Sequence, residues 1–410
     1  DGWTEIGSAS FIPGFTTNYT PSPMLALAFN PNDDSTYFIG TEKELVGTFD
    51  YGNSFSFRTR GLNAGTMQSI NAAVDYRIVS SERHHGLLYK ANGNPAPTDQ
   101  QWTDIYSLNG GGLAQFSVAR PEVIFSQSSD GGVYRSLNNG SSWELFYGFP
   151  LEPTDSCFGP DSIYVDRPDT NTAGAALYDD DVPFVTPWVI DEVVAPADLQ
   201  NDTNIQNTPS YIYLAGGAFV WVCTNPFGDL DSLPHWNRLT LDLTNGPNNA
   251  PEFMTAIAVS GDNSHTILIG TDYGRLYRLA NANQPTSISC ADLVRLDTFT
   301  TNWPSRWISD IAMEKGNADN AIVTFGGYDD FTQRVWMSNN ALSSNQPTFT
   351  NVTGNLPDNL PVYTAAIHPD ANQTVIVLGT EKGAYVTDDN YNNTSNLTWT
   401  KTAVNEIGNA

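Results

Sequence analysis

The chain has 410 residues, 40% hydrophobic and 12% aromatic, with 33 Gly and 25 Pro, a profile of many short strands joined by many turns. Its 18 Lys and Arg stand against 45 Asp and Glu, a formal charge of −27 that repels polyanions and so excludes nucleic acid and acidic membrane surfaces as partners. There is no apolar run of about 18 residues, so no segment reads as a membrane-spanning helix.

In chain order, the sequence opens at Asp1 with neither Met nor a basic, apolar leader, and is read as a processed chain or an excised fragment. Gly2-Trp3-Thr4-Glu5-Ile6 looks like an outermost strand without its own unit, because Trp-Thr recurs at Trp102-Thr103 and Trp399-Thr400. Residues 1–10 are therefore expected to close a ring against the last unit or to end a preceding domain. The first full unit, 22–60, has an apolar inner strand at 25–29, a second strand at 36–41, a third after Glu42-Lys43-Glu44 and a fourth at 55–58. The second, 66–106, places strands at 70–74, 76–79 and 86–90 and ends on Trp102. The third, 113–147, places them at 116–118, 123–125 and 132–135. The fourth, 155–241, holds 184–190 and 211–214 around an insertion rich in Asp, Asn and Pro, where binding specificity tends to reside.

The last three units, 252–297, 305–353 and 361–402, open on inner strands at 253–259, 307–313 and 362–368, apolar with small residues interleaved. Ile39-Gly40-Thr41-Glu42-Lys43, Ile269-Gly270-Thr271-Asp272-Tyr273 and Leu378-Gly379-Thr380-Glu381-Lys382 are copies of one segment. From Gly270 to Gly326 is 56 residues and from Gly326 to Gly379 is 53, so the repeat is nearly even. Four strands in each period of this length specify propeller blades rather than a sandwich, and small residues suit the crowded axis of a ring. The expectation is an all-β protein forming a single β-propeller of seven four-stranded antiparallel blades over 1–410.

Two segments share a further pattern: Thr48-Phe49-Asp50-Tyr51-Gly52-Asn53-Ser54-Phe55 and Ser136-Leu137-Asn138-Asn139-Gly140-Ser141-Ser142-Trp143. In each, the Asx side chain can bond backbone N–H groups inside a turn, Gly supplies positive φ, and the aromatic returns to the next strand for burial. The spacing resembles the Asp-box, or BNR repeat, of sialidase-like and Vps10-like β-propellers, although Asn138 stands where the box has Asp. The resemblance implies a box between the third and fourth strands of a blade, on the face opposite the usual ligand site, in enzymes and non-enzymes alike. The last two units, with Gly354-Asn-Leu-Pro-Asp-Asn-Leu-Pro361 between them, also look like repeats of large secreted bacterial surface proteins.

Strand order puts the turns between second and third strands on the face opposite the boxes, and acidic residues collect there. These are Glu42 and Glu44, Asp130, Asp272, Asp329 and Asp330, and Glu381, the candidate ligand-binding set. Such a ring of carboxylates suits Ca²⁺ or a polyhydroxylated ligand; hairpin turns in an acidic chain favour Asp in any case. Asp179, Asp180 and Asp181, in the insertion of the fourth unit, are the candidate metal ligands, hard oxygen donors without EF-hand spacing. His84 and His85 are adjacent, so on a strand they point to opposite sides and cannot share one metal. His235, beside Trp236, reads as packing, and of Cys157, Cys223 and Cys290 the expected pair is Cys157–Cys223.

No catalytic residue emerges. A sialidase needs an arginine cluster, an Asp and a Tyr–Glu pair, and Tyr76-Arg77-Ile78-Val79 lacks the Pro of the sialidase Phe/Tyr-Arg-Ile-Pro motif. No Gly-x-Ser-x-Gly, phosphate-binding loop or His-Glu-x-x-His is present. The sequence thus points to a non-catalytic binding or scaffold propeller of a secreted or cell-surface assembly, with a protein or glycan partner and no membrane insertion of its own. A glycoside hydrolase or lyase of the sialidase-like class, and a self-assembling surface-layer or filament component, stay open beside it.

Overall fold

The computed structural model describes residues 24–29, 35, 37–41, 45–48, 56–57, 67–73, 77–82, 86–90, 103–106, 111–128, 132–146, 149–150, 185–194, 207–216, 219–228, 235–240, 242–243, 252–288, 292–328, 332–369, 374–387 and 397–401. The first sheet holds β1 (Met24–Phe29), β2 (Tyr37–Thr41), β3 (Leu45–Thr48) and β4 (Ser56–Phe57), paired in chain order. The second holds β5 (Met67–Ala72), β6 (Ile78–Glu82), β7 (Gly86–Lys90) and β8 (Thr103–Tyr106), and the third β9 (Gly111–Phe116), β10 (Ile124–Ser128), β11 (Val133–Ser136) and β12 (Glu144–Leu145). The fourth has β13 (Phe149–Pro150), β14 (Trp188–Glu192), β15 (Ser210–Gly216), β16 (Phe219–Cys223) and β17 (His235–Arg238). The fifth comprises β18 (Met254–Val259), β19 (Ile267–Thr271), β20 (Leu276–Leu279) and β21 (Leu293–Arg295), and the sixth β22 (Ile308–Met313), β23 (Ala321–Phe325), β24 (Val335–Ser338) and β25 (Thr350–Asn351). The seventh comprises β26 (Val362–Pro369), β27 (Thr374–Thr380), β28 (Gly383–Thr387) and β29 (Thr400–Lys401).

The expectation of seven four-stranded antiparallel blades is corrected. Six sheets are four-stranded antiparallel blades; the fourth runs β13-β17-β16-β15-β14 and its β13 pairs with β17 in parallel. Phe149-Pro150 leaves the third sheet along the outer edge of the next, where a proline without an N–H is tolerated. No α-helix occurs among the described residues, only short 3-10 turns such as Pro285–Ser287 and Asp297–Phe299.

Five inner strands carry the same irregularity. In β1, β5, β18, β22 and β26 the register slips after the first pair, leaving one extra residue in the inner strand: Leu25, Gln68, Thr255, Ser309 and Tyr363. Two of these reach the next sheet, where Thr255 Oγ1 donates to Ile308 O and Ser309 Oγ to Val362 O, each at 2.7 Å.

The core lies between sheets rather than within one. Ala256 and Leu268 of the fifth sheet pack with Val323, Phe325 and Trp336 of the sixth, and Ile322, Val335 and Met337 pack with Val362, Ile376 and Leu378 of the seventh. Strands β19 and β23 are buried at every position because both of their faces are covered, which is why Ile-Leu-Ile and Ala-Ile-Val run without alternation. Each such buried aliphatic contributes about 1.5–3 kcal/mol.

Arginines on third strands clasp the following sheet. Arg135 in β11 donates to Pro226 O (2.7 Å) and Gly228 O (2.6 Å), and Arg278 in β20 donates to Ala341 O (2.7 Å) and Ser344 O (2.8 Å). In both cases the acceptors lie in the next sheet's turn between third and fourth strands.

Candidate functional site

The box at 136–143 forms the turn between β11 and β12. Ser136 Oγ donates to Asn138 Oδ1 (3.0 Å) and accepts from Gly140 N (2.8 Å). Asn138 Oδ1 also accepts from Ser142 N (2.8 Å), so the Asn performs the acceptor role that an Asp would. Asn139 and Gly140 have φ of 57° and 81°, and the Trp143 indole closes the turn on Gly140 O at 3.1 Å. The structure adds a turn that the sequence reading missed. Ser338 Oγ donates to Asn340 Oδ1 (2.9 Å), which also accepts from Thr348 N (3.1 Å), and Phe349 is buried. The acceptor-to-donor span is 348 − 340 = 8 residues here against 142 − 138 = 4, so an insertion hides the spacing; the surviving signal is Ser-x-Asn before an aromatic. The segment 49–55 lies outside the described residues.

Of the expected carboxylate ring, Asp272 and Glu381 are described, whereas Glu42, Glu44, Asp130, Asp329 and Asp330 lie outside the described residues, as do Asp179, Asp180, Asp181, His84, His85, Cys157, Cys290 and residues 1–10. Asp272 and Glu381 occupy the same place in their blades, the turn between second and third strands. Asp272 Oδ1 accepts from Phe253 N (3.0 Å) while Asp272 N donates to Phe253 O (3.0 Å); Glu381 N donates to Pro361 O (3.4 Å) and its side chain is exposed. The Asp272 carboxylate thus ties the turn to the entrance of β18. Cys223 is buried, its Sγ 3.9 Å from Asn225 Oδ1. Among the described residues no group of three or more His, Cys, Asp or Glu side chains is placed to hold a metal ion.

The face bearing these turns and the links between blades carries an open pocket of about 330 Å³ lined by Tyr273, Arg275, Arg295, Asp297, Thr298 and Trp303, among others. Its charges are paired. Arg275 Nη1 lies 2.9 Å from Oε2 of Glu252, a fully buried carboxylate to which Thr271 Oγ1 also donates. Burial holds Glu252 above the usual carboxylate range, with the Thr271 bond and Arg275 acting against it. Arg295 grips Asp297 through Nε and Nη2, which raises its already high pKa. Trp303 is the plug beneath: its Nε1 donates to Gly274 O (2.6 Å), and its rings meet Phe325, Trp336 and Phe349 at centroid distances of 5.2–5.4 Å.

The link leaving this pocket continues through Arg306 into Trp307, and there the surface turns aromatic. Trp307 is 39% exposed and Tyr328 73% exposed, and the Tyr328 hydroxyl lies 2.7 Å from that of Tyr363, the extra residue of the β26 bulge. A Cβ on Gly326 would stand 2.5 Å from Trp307 Cε3, so the indole rests on this backbone. Arg334, almost fully buried, donates to Gly326 O (3.1 Å). Burial, reinforced by the bond to Tyr328, holds the Tyr363 phenol above its usual range. Pocket, arginine and aromatics together form one strip across the fifth, sixth and seventh sheets.

A second polar cluster joins the fourth and fifth sheets. Asp191, fully buried on inner strand β14, has Oδ2 2.6 Å from His265 Nδ1 and accepts from Tyr213 OH at 3.2 Å. Burial pushes the Asp191 carboxyl up, and the contacts with His265 and Tyr213 act against that. Nothing in the strand pattern announces this cluster, since Asp191 and His265 are 74 residues apart.

Blades of meandering strands whose inner edges pack sheet upon sheet define the class of protein as a β-propeller. No family model matches the chain and no curated protein sequence matches it. Among solved structures it is similar to an ancestral GH74 enzyme at 13% identity, with 92% of this chain and 46% of that chain covered and a TM-score of 0.51. It is also similar to YCF48 from Cyanidioschyzon merolae at 13% identity, with 90% and 96% covered and a TM-score of 0.48, and to YCF48 bound to D1 peptide at 13% identity, with 89% and 92% covered and a TM-score of 0.43. At such identity the likeness is one of fold. The propeller expected from the Asp-box resemblance is therefore found, while membership of the Asp-box family is not shown.

Proposed function

We propose that the chain is a non-catalytic recognition propeller of a secreted or cell-surface assembly, holding a protein or glycan partner on the face that carries the pocket and the aromatic strip. One observation carries this reading: exposed Trp307 and Tyr328 sit beside an open pocket on the same face, while the acids and arginines around that pocket are spent on each other. Exposed aromatics backed by rigid strands are the common chemistry of recognition surfaces, because they offer large contact area at small entropic cost.

The test has two arms. The protein is incubated with polysaccharides and sialosides and reducing ends are measured; no turnover is expected, and turnover abolished by Glu381→Gln would overturn the non-catalytic reading in favour of a glycoside hydrolase. In the second arm the immobilised protein is presented with a panel of glycans and extracellular proteins, and Trp307→Ala is expected to weaken the selected partner by about tenfold. Binding unaltered by Trp307→Ala would move the recognition surface elsewhere.

A further inference from the structure

We propose that Trp307, Tyr328 and Tyr363 form a stacking site for an uncharged pyranose of a polysaccharide chain, an assignment that rests on the recognition reading and narrows its ligand. Among the described residues, the exposed large hydrophobics are Ile70, Leu137, Trp307 and Tyr328, and the two aromatics of that set belong to this single patch. Neither ring is loose. The indole lies on the Gly326 backbone with one face covered and the residue 39% exposed. Tyr328 is tied at its hydroxyl to that of Tyr363, the extra residue of the bulge at the start of β26. Rings fixed before binding lose little freedom on capturing a ligand. An aromatic face complements the C–H face of a sugar ring, and the paired phenolic hydroxyls offer donors and acceptors to its hydroxyl groups.

Charge selects the ligand class. A net charge of −27 opposes an acidic polymer, so a uronate chain is disfavoured. A cation held over the rings is disfavoured as well, because two guanidinium groups lie close by: Arg334 bonded to Gly326 O, and Arg306, whose Nη2 comes within 3.4 Å of the point where a Cβ on Gly327 would stand. Exposed Glu381, in the turn beyond Tyr363, offsets part of that positive charge. What remains suited to the patch is a neutral ring with hydroxyls, and the adjoining pocket, floored by Trp303 and lined by Thr298, Thr300 and Asn302, extends the polar surface along which a chain can lie.

The test is affinity electrophoresis of the full chain in gels containing hydroxyethylcellulose, galactomannan or dextran, with polygalacturonate as the anionic comparison. Retardation by at least one neutral polymer is expected, together with a change in tryptophan fluorescence. Tyr328→Ala, at a 73% exposed position where folding is not at risk, is expected to raise the Kd about tenfold, and Tyr328→Phe, which keeps the ring, to raise it less than threefold. Trp307→Ala is read alongside, with thermal unfolding to verify its fold. Absence of retardation by every neutral polymer, preference for polygalacturonate, or retardation undiminished in both alanine variants would each overturn the assignment. A protein partner captured in the panel experiment without any neutral-polymer retardation would overturn the pyranose site and leave the recognition reading standing. Failure of both experiments removes both.

Discussion

The interface between the fifth and sixth sheets and the interface between the third and fourth solve the same packing problem with different materials. Both use a third-strand arginine, Arg278 in one and Arg135 in the other, to hold the carbonyls of the next sheet's outer turn. Beyond that they diverge. Between the fifth and sixth sheets the seam is repetitive at the inner strands, with Leu268, Ile308, Ile311 and Val323 interleaved and one hydroxyl bond, Thr255 to Ile308 O, at the bulge, and it carries its own rings, Trp303 set among Phe325, Trp336 and Phe349. Between the third and fourth it is more singular: Phe125 meets Trp188 and Phe146 meets Trp236 edge-on at 6.4 and 5.5 Å, and the buried Glu192 carboxylate accepts from Ser117 Oγ, Val118 N, Ala119 N and Ser210 Oγ. The comparison teaches that rings fill both seams, and that the seam made with the altered blade adds the Glu192 carboxylate, which gathers donors from both of its sheets.

If that is correct, single substitutions should be felt most strongly at the singular seam. Trp236→Ala empties a fully buried position in the aromatic cluster and is expected to lower unfolding free energy by about 3–5 kcal/mol, read from the urea midpoint. A loss below 1 kcal/mol would mean the cluster is plastic and the contrast false. Glu192→Ala strands four donors without their acceptor and is expected to cost about 3 kcal/mol by thermal unfolding. On the repetitive seam, Arg278→Met removes charge-assisted bonds to the carbonyls of the sixth sheet, and a loss of about 2 kcal/mol is expected. Hydrogen exchange should quicken at 341–344 first; a uniform rise across the chain would contradict a local clasp.

The smallest effect concerns pH at the seam between the fourth and fifth sheets. Burial raises the Asp191 carboxyl above its unfolded value of about 3.9, so between that value and the folded one the native state binds the additional proton. Stability from this group is therefore greatest at low pH and declines as pH rises through the window. Asp191→Asn lacks the decline, and the stability difference, wild type minus variant, should fall with rising pH above about 4, by at most about 1.4 kcal/mol per pH unit. Parallel urea-midpoint profiles from pH 4 to 7 would refute it.

Legibility in the sequence followed the same divide. In the fifth and seventh sheets, inner strands were readable because Met254–Val259 and Val362–Pro369 interleave apolar and small residues beside second strands with an apolar run that ends in Gly-Thr. The second sheet was read out of step: β5 starts at Met67 and β6 runs to Glu82, because buried Ser80 and Ser81 read as polar turn residues until their partners, Ser69 O for one and Gly112 O for the other, are seen. Likewise β9 begins at Gly111, in a Gly-Gly segment that carries no hydropathy signal.

The box turn at 136–143 was written in local chemistry, as was the Ser338 turn once its insertion is allowed for, since an Asx two residues after a hydroxyl is placed to bond within its own turn. The sequence by itself determined the class of fold, the repeated unit and the face on which carboxylates such as Asp272 and Glu381 lie. Tertiary structure alone decided the parallel β13 edge, the Asp191–His265 pair, the pairing of Arg275 with Glu252, and the meeting of Trp307, Tyr328 and Tyr363. The reason is physical. Strand periodicity and turn chemistry act over a few residues and are inscribed locally, whereas these contacts join residues far apart in the chain that meet only in the folded propeller.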